Sequence, residues 1–171
     1  EESEALLCSI SHCWESREHP DPCGYQLEMI ARASWWYALA YYPAPVWLFI
    51  DYTSLFQYKR EEDSPEDKSF RKAMNAMHVL YCHEYNLTLA IWSLTPQKLW
   101  EKLSGDGHKV LIYHEPSGAM KEVTLEELTR NLVEYLSRGW CQAELQWSTT
   151  RSDSTAHQRI DKGKTEPGSE Q

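Results

Sequence analysis

Polar residues with usable chemistry stand directly after apolar runs at several points of this 171-residue chain. Ser11 and His12 follow Leu6-Leu7-Cys8-Ser9-Ile10, Asp51 follows Val46-Trp47-Leu48-Phe49-Ile50, and Ser93 follows Leu87 to Trp92. Open parallel sheets bind ligands in the crevice outside the carboxyl ends of their strands, so these residues are candidates for one pocket. A strand end meeting solvent gives the same pattern at any single position. Farther along, the guanidinium fork of Arg138 suits a pyrophosphate, and Trp140 can stack on a base or ring. An exposed Arg at a helix junction and a Trp filling core are the plain alternatives. Cys141 has no activating base placed beside it by the sequence and is expected as a small buried residue. His12, Cys13, His19 and Cys23 bring soft ligands close together but lack the paired C-x-x-C or H-x-x-x-H clasp, so no metal site is expected. Neither GxGxxG nor GxxxxGK[ST] occurs, which counts against a standard Rossmann dehydrogenase or P-loop NTPase.

The elements that would position these residues follow from periodicity and punctuation. Residues 5–10 form a short apolar run expected as a buried strand, 46–50 a continuous apolar run expected as a strand buried on both faces, and 87–92 a third strand. Between them, Asp21-Pro22 opens a helix over about 23–41 with Leu27, Ile30, Ser34, Tyr37/Ala38 and Tyr41 on one stripe. After a polar loop over 52–63, Ser64-Pro65-Glu66-Asp67 caps a second helix marked by Phe70, Ala73/Met74, Met77 and Leu80/Tyr81. Repeated strand, loop and helix with right-handed crossovers imply an α/β fold: a flavodoxin-like parallel sheet flanked by helices. Thr95-Pro96 starts a short helix ending near Gly105, and Lys109 to Tyr113 is a candidate fourth strand. Thr124-Leu125-Glu126-Glu127 has capping-box form, with a stripe of Leu125, Leu128, Leu132 and Tyr135/Leu136 predicting a helix. Gly139 is expected to break it before a short helix over 140–145. From Thr149 onward only Ala156 and Ile160 are hydrophobic, so 151–171 is expected to be a disordered tail on a domain spanning 1–150.

Composition bounds the function. Apolar residues are 42% and aromatics 12% of the chain, enough for a real core. With 17 Lys+Arg against 26 Asp+Glu the net charge is −9, and residues 151–171 are neutral overall, so the whole excess lies on 1–150. A phosphate backbone would be repelled, and nucleic acid is not an expected partner. The five cysteines form no even framework, which favours reduced thiols and a cytoplasmic setting. Pro43 interrupts the longest apolar stretch, so no membrane span is expected. Residues 1–8 carry neither an initiator Met nor a signal pattern, and the chain reads as a piece of a longer protein.

The segment Ser137-Arg138-Gly139-Trp140-Cys141-Gln142-Ala143-Glu144-Leu145 resembles the Ser-x-x-Trp-Cys-x-x-Glu-Leu pattern of Toll/interleukin receptor (TIR) domains, and Tyr135 matches an aromatic that commonly precedes it. Leu48-Phe49-Ile50-Asp51 with Leu55 is similar to the second-strand Phe-Ile-Asp-x-x-x-Leu of plant-type members. The first strand into Ser11-His12-Cys13-Trp14 is similar in placement only. The resemblance spans about 5–147, with two departures: 94–134 is an insertion before the Trp-Cys helix, and the family's later strands and helices have no counterpart in the tail. Either the insertion supplies them, with Lys109 to Tyr113 joining the sheet, or the domain is incomplete.

What the resemblance implies is a domain that hydrolyses or cyclises NAD as substrate, with no further cofactor, in signalling or defence. Glu144 would be the catalytic carboxylate, with Ser11, His12, Asp51, Arg138 and Trp140 binding substrate. Breaking the nicotinamide N-glycosidic bond develops positive charge on the ribose, which an ionised carboxylate stabilises, and nicotinamide leaves neutral without needing an acid. A non-catalytic TIR-like module acting by self-association or with other TIR-like domains is the second implication. There, loop 52–64 would matter through the juxtaposed charges of Tyr58-Lys59-Arg60 and Glu61-Glu62-Asp63. A related nucleotide-sugar or nucleoside hydrolase on the same sheet is a third.

Overall fold

In the computed structural model, which describes residues 5–57 and 60–162, β1 (Leu6–His12) is paired on both sides, and Ser9 within its mainly apolar run is bonded to Thr88 and Asn86 of the neighbouring strand. It runs parallel to β2 (Val46–Phe49) from Leu6↔Val46 and to β3 (Asn86–Ile91) as far as His12↔Ile91. The strand therefore continues two residues beyond the expected end at Ile10, because Ser11 and His12 still pair with Ala90 and Ile91. The crossovers are α1 (Tyr25–Ala40) and α3 (Pro65–Cys82), the latter capped by Ser64, which accepts from the Asp67 amide ahead of Pro65. The α/β expectation holds, with helices flanking a parallel sheet. Cys8, Ile10, Leu87, Leu89 and Ile91 from the sheet pack with Met29 and Ile30 of α1.

Several expectations are corrected. β2 is an edge strand with Trp47 largely exposed, not a strand buried on both faces. Ile30 and Tyr37 of the expected α1 stripe pack on the core, whereas Leu27 and Tyr41 are exposed and Gln26 and Met29 are buried instead. Within the expected 52–63 loop, α2 (Asp51–Ser54) forms a single turn. Arg60 is stacked 3.6 Å from the centroid of the Phe70 ring and lies 3.9 Å from Asp67 Oδ1; Tyr58 and Lys59 lie outside the described residues.

The fourth sheet position departs most. After α4 (Gln97–Gly105), β4 (Lys109–His114) pairs antiparallel with β5 (Ala119–Thr124) in a separate hairpin, so Lys109 to Tyr113 does not join the main sheet. Its place is taken by β6 (His157–Arg159), giving the parallel order β2-β1-β3-β6. The expected disorder from 151 onward is thus overturned for 151–162; residues 163–171 lie outside the described residues. Ile160 packs against the first core, and buried hydrogen bonds dock the rest of this segment. Arg151 donates to the carbonyls of Asn86, Ser148 (2.8 Å) and Ala156 (3.0 Å), and Asp161 accepts from the Trp92 (3.1 Å) and Ser93 (2.7 Å) amides.

The capping box at Thr124 and Glu127 is formed, yet it starts only a 3-10 turn over Leu125–Glu127, and the helix expected through Leu136 is absent. The backbone there is committed elsewhere: the Asn131 amide donates to Glu15 O (2.8 Å) and Thr129 O accepts from Arg17 (3.3 Å). Leu125 and Leu128 pack into a second core with Trp100, Ile112 and Val123, while Leu132 and Leu136 stay exposed. α5 (Gly139–Thr149) begins at the expected break and runs beyond Leu145.

Candidate functional site

α5 packs against α3 and β1, and this brings Glu144 onto the carboxyl end of β1. The residue is only 2% exposed, unlike most helical Glu. Ser11 Oγ donates to its Oε2 at 2.5 Å, and the Tyr135 hydroxyl lies 2.5 Å from the same Ser11 oxygen. Ser11 has one proton and gives it to the carboxylate, so Tyr135 must donate to Ser11. Burial pushes the Glu144 carboxyl up from 4.5 to about 7, the nearby Asp51 charge acts in the same sense, and donors on Ser11, Tyr81 and Trp140 hold it back. Near neutral pH this carboxyl is divided between its acid and its anion.

His12, the next residue along β1, points to the other face, as strand alternation requires. Its Nδ1 lies 2.7 Å from Gln26 Oε1 on α1. The Gln26 amide is oriented by its own donations to Cys13 O and Glu15 Oε1, both at 2.9 Å, which leaves Oε1 as the acceptor and makes Nδ1 the protonated nitrogen. His12 Nε2 sits 3.4 Å from Asp51 Oδ1, so a second proton creates an ion pair. Burial alone would lower the His12 pKa, but bonding to and the charge of Asp51, with Gln26 and the Glu144 charge, outweigh it and raise the value. Asp51 is itself held by Trp14 Nε1 (2.9 Å) and the Tyr52 amide (2.7 Å). Behind Gln26, buried Glu15 also accepts from Thr95 through its amide (2.8 Å) and hydroxyl (2.9 Å).

Gln26 thus connects three buried groups. Gln26→Leu is expected to cost about 3 kcal/mol or more in urea unfolding, because His12 Nδ1–H, Cys13 O and Glu15 would each lose a partner. A loss under about 1 kcal/mol would show that water replaces the amide.

A cavity of about 340 Å³ opens against these groups, with His12, Asp51, Met77, Arg138, Trp140 and Cys141 in its walls. Glu144 lies behind the wall, on the same helical face as Trp140, whose indole is 38% exposed. Arg138 reaches the cavity, yet its guanidinium donates to the carbonyls of Val133 (2.7 Å), Trp14 (2.6 Å) and Asn131 (3.2 Å), so much of its donor capacity is already used. Ser93 lies apart from this group, its amide bonded to Asp161. Of the residues singled out from sequence, His12, Asp51, Arg138 and Trp140 line the cavity, whereas Ser11 and Glu144 are buried against each other behind its wall. Cys13 and Cys141 are buried together with Tyr135, and His19 accepts from the Asp21 amide through Nδ1.

Sequence reasoning missed Gln26, Glu15, Tyr81 and Trp14 as parts of the site. Gln26 sat inside an apolar helix pattern, and a polar residue at a buried helical position is the signal that was available. Glu15 and Tyr81 join through contacts distant in sequence. No protein-family model, curated protein or solved structure matches this chain.

Proposed function

We propose that this domain cleaves the nicotinamide N-glycosidic bond of NAD, with Glu144 stabilising the ribosyl cation as the bonding pair leaves on nicotinamide. The observation that carries this reading is the fixed, buried Glu144 carboxylate beside a cavity at the carboxyl edge of a parallel sheet. Its low-dielectric surroundings strengthen its attraction for a developing cation, and the Tyr135–Ser11 relay aims one of its oxygens. For the carboxylate to meet a ribose, the Trp140 indole swings away from it and is then free to stack on the nicotinamide ring. His12 and Asp51 line the space where ribose hydroxyls would lie. The test is nicotinamide release from NAD over a range of domain concentrations. No release at any concentration from folded protein overturns the reading, and a rate rising faster than linearly marks an assembly-dependent enzyme.

A self-association module is the second reading, favoured by a separate observation. α1, the turn after it and the edge strand β2 expose Trp35 (67%), Trp36 (71%), Leu39, Tyr42 and Trp47, a concentration of aromatic surface unusual for a monomer. If two copies pair through it, Trp35→Ser with Trp36→Ser is expected to weaken the dimer by about 30-fold or more, since each large apolar side chain contributes about 1.5–3 kcal/mol on burial. Sedimentation equilibrium reads this directly; a parent monomeric at all concentrations rejects the pairing.

A further inference from the structure

A second cavity, of about 550 Å³, adjoins the first and shares Trp14, Leu55 and Gln57 with it. Residues of the segment after β2, from Tyr52 to Gln57, line it together with the end of β4 and the turn after it, from Ile112 to Pro116. The hairpin thus closes a cleft that runs on from the cavity beside Glu144.

Its lining differs in character from the first cavity. Four aromatic side chains, Trp14, Tyr52, Phe56 and Tyr113, line it, with Trp14 and Tyr52 packed edge to face at 5.6 Å. Such walls suit a flat heteroaromatic ring. Arg17 supplies a guanidinium that makes no salt bridge among the described residues, and His114 stands on the hairpin side. Glu18 and Glu115 also line the cleft. Glu18 is partly engaged by the Thr129 amide at 3.1 Å, and both carboxylates would favour ribose hydroxyls over further phosphate. Base, ribose and one phosphate group are therefore the chemistry these walls accommodate.

We propose that this cleft binds the adenosine 5′-phosphate half of the substrate, so that the β4–β5 hairpin completes a dinucleotide site within a single chain. The inference rests on the NAD reading for what occupies the first cavity. The base lies between the aromatic walls, Arg17 meets the phosphate, and the shared Trp14 edge is where the pyrophosphate crosses between the two cavities.

The test is binding of adenosine 5′-monophosphate by titration calorimetry, combined with cleavage of NAD and of nicotinamide mononucleotide, which lacks the adenosine half. The monophosphate is expected to bind the parent and Glu144→Gln alike. Arg17→Ala and Tyr113→Ala should each weaken it at least tenfold; Arg17 is exposed, so its replacement does not put folding in question. The same variants should raise KM for NAD about tenfold and leave cleavage of the mononucleotide unchanged. Absence of monophosphate binding to the parent, or undiminished binding by both variants, overturns the proposal. If the monophosphate binds as expected but neither nicotinamide compound is cleaved, the subsite stands and the catalytic reading of Glu144 fails.

Discussion

Glu144→Gln is expected to lower nicotinamide release from NAD by at least about 100-fold while the domain stays folded. Gln keeps the volume, and its carbonyl oxygen can still accept the Ser11 proton that now goes to Oε2. What it removes is the negative charge. An acceptor that only positioned the ribose would survive the exchange, whereas a charge that stabilises an oxocarbenium-like transition state would not. Chromatographic measurement of nicotinamide, with circular dichroism on the same sample, separates the outcomes. A folded variant working at the parental rate would remove Glu144 from the chemistry.

The same substitution has a stability consequence of defined sign. Because burial raises the Glu144 carboxyl from 4.5 to about 7, the native state holds a proton that the unfolded chain has already released across that interval. Stability falls as pH rises from 4.5 to about 7, reaching a penalty of about 3 kcal/mol that then stays constant. Glu144→Gln lacks this penalty, so its advantage over the parent should grow across the interval and level off above it. His12 adds to the decline in both proteins: its raised pKa stabilises below 6.5, and this is lost as pH climbs through the folded value. Activity should move the opposite way from stability, rising as Glu144 ionises.

The site was legible where chemistry coincided with local pattern. β1, β2 and β3 could be read because each carries a short, mainly apolar run, and of the first polar residues after them His12 and Asp51 meet while Ser11 turns to the other face and binds Glu144. Glu144 was legible only through the nine-residue segment that contains it, Ser137 to Leu145; on periodicity alone it would pass for a solvated helical Glu. Other residues were hidden because their roles come from partners far along the chain. The Tyr81 hydroxyl lies 3.2 Å from Ile10 O across 71 positions, and Glu15 receives Thr95 across 80. The 124–136 stretch misled for a related reason. Its capping box is a local signal and did form, but tertiary bonds from Asn131 and Thr129 to the 15–17 segment claimed the backbone that a helix would have used.

Deleting residues 151–171 is expected to lower the melting midpoint by about 10 °C or more, the reverse of what the polar composition of the tail suggests. Apolar content is an incomplete measure here, because beside Ile160, which packs on the first core, the segment is held by polar groups that are themselves buried. Arg151 is 5% exposed and bonds Asn86 O, Ser148 O, Ala156 O and Thr88 Oγ1. Desolvation pulls its pKa down, so the charge is retained against a cost that those acceptors offset. Beyond β6, Ile160 donates to Ala90 O at 3.0 Å, and Asp161 receives the Trp92 and Ser93 amides along with Arg159. Although burial opposes its ionisation, bonds from Arg159 and Ser93 hold the Asp161 carboxyl below its ordinary range. Removing the segment bares the edge of β3 and leaves these groups without partners, a loss of about 4 kcal/mol or more. At 2–4 °C per kcal/mol for a chain of roughly this length, that gives the stated shift. Arg151→Met alone should cost about 3 kcal/mol, since it removes the charged donor while keeping its aliphatic volume. A chain ending at Lys162 assigns the loss to residues 151–162. Because Ala90 packs beside Cys13, Tyr135 and Cys141, loosening β3 would disturb the wall behind Glu144 as well, and nicotinamide release should fall together with the midpoint. A truncated chain that melts within about 2 °C of the parent would show that β3 is stable as a sheet edge and that β6 only rests upon it.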